Sequence, residues 1–366
     1  MTFYRNPWAR WVALGCLLML ITACKPNPQN DIPYFQAFIQ ENSHRIADDP
    51  YISSTVRPGD KMYDFFLSLQ RGKPSRHYLK SLIKEGNTDA MVWYARLMII
   101  HINERNYNRE LLQRAFFEGN PYAALELSDI GESCFYLGKL TLHRQVAESL
   151  NLESSADSQL NVCAKENRQI AIKGFEQLAE QGDLRAQYFL LQQKQWDQST
   201  KTREQYLNEV IRFAKAHYYQ PLMDYIDTIL IRPQGSNKYQ SKTPEQYDLA
   251  VQLLTIASND NYIPAINWLE NISDGDDRNK LRNRALKLGS ISMMSHLYYS
   301  YDGLSKESYF YNLLYKKLTG EYKVSWELPS KAIQDEVKIE VDELLKTITP
   351  MVYIDGFTHR MNWVEK

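Results

Sequence analysis

The chain of 366 residues has only four cysteines and a formal net charge of −1. Without surplus positive charge or a basic stripe, nucleic acid is not an expected partner. Seven histidines are present, His44, His77, His101, His143, His217, His296 and His359, and no two stand at helical ligand spacing. His-Glu-x-x-His, Gly-x-Ser-x-Gly, a Walker glycine loop and Cys-x-x-Cys are all absent. No sequence motif therefore marks a catalytic residue, a metal or a cofactor. His217, at a turn, and His296, beside a leucine, read as structural. "SDGDDRNK", residues 273–280, gathers Asp274, Asp276 and Asp277, but Asn279 and Ala285 stand where an EF-hand needs glycine and glutamate. It reads as a solvated turn. The protein is expected not to be an enzyme.

Long apolar runs are also lacking. "WVALGCLLMLI", residues 11–21, follows Arg5 and Arg10 and is too short to span a bilayer comfortably. It reads as the core of a signal peptide over 1–23. "LITAC", Leu20 to Cys24, resembles a bacterial lipobox. The resemblance implies cleavage after Ala23, acylation of Cys24 and attachment to a membrane. Lys25, which is not aspartate, implies sorting to the outer membrane of a Gram-negative cell, with the protein facing the periplasm. Residues 24–33 then form a proline-rich lipidated tether. Of the remaining cysteines, Cys134 and Cys163 form an even pair in an oxidising compartment. They are expected to bond, the alternative being two free buried thiols.

What the sequence does have is repetition. "EGNPYA", residues 118–123, is one helix stopping and the next starting. Glycine accepts the left-handed conformation, asparagine caps the following amides, and proline suits the first helical turn. The pattern recurs at Gly86, Gly119, Gly182 and Gly289, followed by Asn87, Asn120, Asp183 and Ser290. His217 and Asn261 hold the glycine position in two weaker copies. A small or apolar residue follows at four, and a large apolar one at eight. The six positions lie 33, 63, 35, 44 and 28 residues apart, so the long gap holds an insertion, near 140–163. Apolar residues three and four apart before each turn predict an amphipathic helix. A pair of helices cannot bury its apolar face alone, and stacking such pairs makes a solenoid.

This pattern resembles the Sel-one-like repeat, a relative of the tetratricopeptide repeat. Leu297, Tyr301 and Gly303 match the family's leucine–tyrosine–glycine ending. The resemblance implies an all-α fold, a right-handed α-solenoid of helix pairs over 76–320. Residues 34–75 are expected to form N-terminal capping helices over the first pair. Residues 321–366 are expected to form a C-terminal capping helix, begun by Ser330, and a tail across the last helices.

Such repeats bind proteins through an extended groove. The 25 tyrosines are the one compositional excess, and tyrosine suits interfaces. Tyr218, Tyr219, Tyr298 and Tyr299 are candidates for the groove, the alternative being the packing role tyrosine plays in this family. Lipoproteins with these repeats resemble immunity partners of phospholipase effectors delivered by type VI secretion. The expected function is thus non-enzymatic binding of a partner protein, such as a secreted toxin, at the membrane that holds Cys24. The alternative is an envelope scaffold or regulator that docks a cell-wall enzyme or assembly complex.

Overall fold

A computed structural model describes residues 26–365, apart from 48, 53–55, 140, 152–160, 232–238 and 324–327. The signal segment and Cys24 lie outside the described residues. Among the described residues the chain is all-α: helices pack against their neighbours in sequence, and there is no strand. None of these helices is long and apolar enough to cross a membrane.

The six turns share one backbone geometry. Gly86, Gly119, Gly182 and Gly289 have φ of 84°, 83°, 92° and 74°. His217 and Asn261 adopt φ of 59° and 65° despite their side chains. At Gly119 the amide reaches the Phe116 carbonyl, and the Asn120 amide reaches that of Ala115. This crossed pair of bonds satisfies carbonyls that the ending helix leaves open. The same pair recurs at Gly86, Gly182, His217 and Gly289. The next helix is capped at once. Asn87 accepts from the Ala90 amide, Asn120 from Tyr122 and Ala123, Asp183 from Arg185 and Ala186, and Ser290 from Met293. Each such cap contributes about 1 kcal/mol. Ala90, Ala123, Ala186 and Ala265, four residues after the turn, are all fully buried.

The chain divides into two compact units. One contains the described residues of Met1–Ile46 and Leu191–Asn259. In it Arg203–Lys215 pairs with Gln220–Ile229, and Pro244–Asn259 follows. The helix Ile32–Asn42 lies against Arg203–Lys215 and Pro244–Asn259. Of residues 34–75, expected as N-terminal capping helices, Ile32–Asn42 thus falls in this unit and Tyr63–Gln70 in the other. The reason is a buried anchor: Asp31 takes the Arg203 guanidinium at 2.5 Å and the Tyr225 hydroxyl at 3.2 Å. Phe35 packs on the Tyr225 ring, 4.8 Å between centroids.

The second unit comprises Ala47–Leu190 and Asp260–Lys366. Tyr63–Gln70, Arg76–Lys84, Thr88–Met98, Arg105–Phe117 and Pro121–Glu126 pack in succession, and Lys165–Glu180 packs on Pro121–Glu126. Between them lies the insertion. Its ends are joined by a disulfide from Cys134 to Cys163, with the Cα atoms 4.9 Å apart. The helices Ile263–Ile272, Gly275–Lys287, Ile291–Ser300, Lys306–Thr319 and Lys331–Thr347 form a second succession. Val337 and Val341 are the fully buried residues of the last helix. Asp276 and Asp277 fall in the first turn of Gly275–Lys287, so the acidic stretch is a helix start rather than a turn between units.

The tail after Thr347 joins the two successions. Thr349 and Met351 donate to the Lys287 and Leu288 carbonyls. On the other side, Gln70 bonds both the Met351 carbonyl, at 3.0 Å, and the Tyr353 amide, at 2.9 Å. Trp363 packs at a tilt against Trp93, 5.3 Å between ring centroids. The tail thus reaches back to the first helix pairs, beyond the last helices that the sequence reading assigned to it.

Candidate functional site

A cavity of about 210 Å³ opens in the second unit. Its buried floor is Met62, Phe66, Val92 and Trp93, with Arg96 beside them. Val56, Asp89, Tyr122, Arg185 and Gly356 complete the lining, and Asp89 is exposed. Asp89, Val92, Trp93 and Arg96 all come from Thr88–Met98. Their spacing of three, four and seven places them on one helix face. Asp89, Tyr122 and Arg185 have a different relation. Each stands three residues after a turn glycine, Gly86, Gly119 and Gly182. The same place in three helix pairs therefore lines one cavity.

Arg96 holds the floor. It is almost fully buried, and its Nε lies 3.1 Å from Glu126. Its Nη1 and Nη2 donate to the Gly356 and Thr358 carbonyls at 2.8 and 3.2 Å. The guanidinium lies over the Trp93 and Trp363 rings, 4.5 and 5.1 Å from their centroids. Burial lowers its pKa, and Glu126 and Glu132 work against that shift. The ion pair, the carbonyls and the rings replace the hydration it loses.

Tyr122 carries the most unusual atom. Its hydroxyl is buried and has no hydrogen-bond partner. The ring is wedged between Phe175 and Phe357, each 5.0 Å away between centroids. A Cβ on residue 356 would collide with the Tyr122 ring, so Gly356 is needed there. Burial raises the phenol's pKa well above 10, opposed by Arg185 and reinforced by Asp183, Asp355 and Asp89. The hydroxyl therefore keeps its proton and is a free donor. Arg185 is clamped by Asp183, with Nη2 to Oδ2 at 2.6 Å and Nε to Oδ1 at 3.2 Å. Asp89 accepts from Asn120 Nδ2 at 2.7 Å. Both guanidinium groups thus already face a carboxylate, and the cavity has no surplus positive charge.

The candidate tyrosines are not among the residues that line this cavity. Tyr218, Tyr219 and Tyr298 are 3 %, 0 % and 7 % exposed, which corrects the expectation that they face a partner. Tyr218 packs edge-on against Phe213, in the body of its helix pair. Tyr299 is 69 % exposed, and it stays available. His296 Nδ1 sits 3.2 Å from the buried Glu270, which also holds Arg282 at 2.7 Å. Among the described residues, no three His, Cys, Asp or Glu side chains are grouped to hold a metal. The sequence carries one sign of the cavity: Arg96 is the lone charge within "AMVWYARLM", an otherwise uncharged stretch.

No family model, no curated protein and no solved structure matches this chain.

Proposed function

We propose that this chain is a lipid-anchored, Sel-one-like helical-repeat protein of the bacterial envelope that works by binding a partner protein. The observation that carries this reading is the convergence of Asp89, Tyr122 and Arg185, equivalent residues of three helix pairs, on one cavity. Repeat proteins stacked as a right-handed solenoid build their binding faces in this way, because the same turn position recurs side by side. The cavity volume of about 210 Å³ falls short of the roughly 300–1,000 Å³ typical of small-molecule sites. It matches a single anchoring side chain, the unit that dominates protein interfaces.

The resemblance supplies the partner: a phospholipase toxin delivered by type VI secretion. Acylation at Cys24 would hold the immunity protein at the outer membrane, facing the periplasm where such a toxin acts. The test is affinity capture of the tagged full chain from its own detergent-solubilised envelope, read by mass spectrometry. One stoichiometric partner, toxic when exported without this protein, is the expected result. Recovery of cell-wall or envelope-assembly proteins would assign the scaffold role instead.

A further inference from the structure

On the strength of the partner-binding reading above, we propose that the cavity is a socket for one aromatic ring that carries a polar atom, of the size of a phenol. Three observations point to this occupant. The first is volume. A cavity of about 150 Å³ with apolar walls takes up benzene, and the present one, at about 210 Å³, has room for a ring and one substituent. The second is the wall chemistry. Phe66 and Trp93 meet edge to face, 5.1 Å apart, with Met62 beside them. Aromatic and thioether groups favour another aromatic ring over an aliphatic chain.

The third is the Tyr122 hydroxyl. A buried donor without a partner costs about 1–3 kcal/mol, and here it belongs to a residue that lines the cavity. An oxygen or nitrogen on the ring would take that hydrogen bond. The occupant carries no negative charge, because Arg96 and Arg185 are each already matched, to Glu126 at 3.1 Å and to Asp183 at 2.6 Å. An anionic ring would meet no free counter-charge there.

The ring is that of a partner's tyrosine, and a free phenol is the other outcome the test separates. The full chain is titrated with 4-fluorophenol and with fluorobenzene, followed by fluorine NMR, and with N-acetyl-tyrosinamide in competition. Saturable 4-fluorophenol binding is expected, weakened about tenfold by Tyr122→Phe, as for a lost hydrogen bond. Fluorobenzene binding should be unchanged in that variant. Val56→Trp, which puts a large ring on the cavity lining, should abolish both, with an unchanged thermal melt showing that the fold survives. Competition by N-acetyl-tyrosinamide shows that the mouth admits a peptide backbone, and assigns the ring to a partner. Exclusion of the amide with retention of 4-fluorophenol keeps the socket but overturns its role in partner binding. No saturable binding of 4-fluorophenol, or equal binding by Val56→Trp, overturns the socket and leaves capture of a partner to decide the function.

Discussion

Arg96 and Glu126 meet 3.1 Å apart inside the second unit, with the arginine also laid 4.5 Å over the Trp93 ring and bonded to two carbonyls of the tail. One side chain thus ties a helix of the first succession to the segment that ends the fold. Removing it leaves Glu126 buried without a counter-charge and the tail without its clasp. Arg96→Ala is expected to cost about 3–5 kcal/mol. Arg96→Lys should recover only part of this, since a point charge cannot reach a carboxylate and two carbonyls together. Urea unfolding measures both. A loss below about 1 kcal/mol for Arg96→Ala would show that the pair is not needed.

The shared turn geometry makes two opposite expectations. Gly119 has φ of 83°, and a Cβ there would meet nothing within 4 Å. Gly119→Ala should therefore cost only the conformational term, about 1–2 kcal/mol. His217 already bears that strain at φ of 59°. His217→Gly should offset it, leaving stability unchanged or higher despite the loss of a ring contact with Tyr219. Thermal unfolding of the two variants checks the pair. Equal losses in both would contradict a common turn.

The disulfide closes a loop spanning a sequence separation of 29. In the chain-entropy model such a bridge contributes roughly 3–4 kcal/mol. Cys134→Ser with Cys163→Ser should lower stability by about that amount. Hydrogen exchange should rise most in residues 132–149 and 161–164, while the turn at Gly86 stays protected.

Asp355 makes a pH expectation. Burial raises its pKa above 3.8, outweighing Arg185 and the hydrogen bonds from Phe357 and Thr358. The folded state then holds a proton to higher pH than the unfolded chain does. The stability this gives is complete below about pH 4 and is lost as pH rises through the raised value. Asp355→Asn keeps an acceptor for the Phe357 and Thr358 amides and removes the charge. Relative to the original chain, its stability should improve in urea titrations as pH rises from about 4 through the raised value. A constant difference across that range would mean that Asp355 titrates like an exposed acid.

Local features were legible in the sequence, and long-range ones were not. Gly119 and Asn120 mark a helix boundary because their own backbone and side-chain chemistry decides it, whatever packs nearby. The tyrosines show the limit of composition. Tyr298 and Tyr299 are neighbours, yet one is buried and the other exposed, because adjacent helical residues point about 100° apart. The contact of Ile32–Asn42 with Arg203–Lys215, some 170 residues later, depends on Asp31 meeting Arg203, a pairing no spacing reveals. The cavity fell between these cases. Asp89, Tyr122 and Arg185 share an offset that is plain in the sequence, but they match no chemical motif. Their convergence depends on how helix pairs stack.

If a partner docks through this cavity, filling the cavity must release it. The most direct measurement is the yield of the captured partner from the full chain and from Val56→Trp, side by side at equal protein level. Loss of one stoichiometric partner from the Val56→Trp sample, with its melting temperature unchanged, is the expected result. The same partner recovered in equal amount from both would contradict the claim.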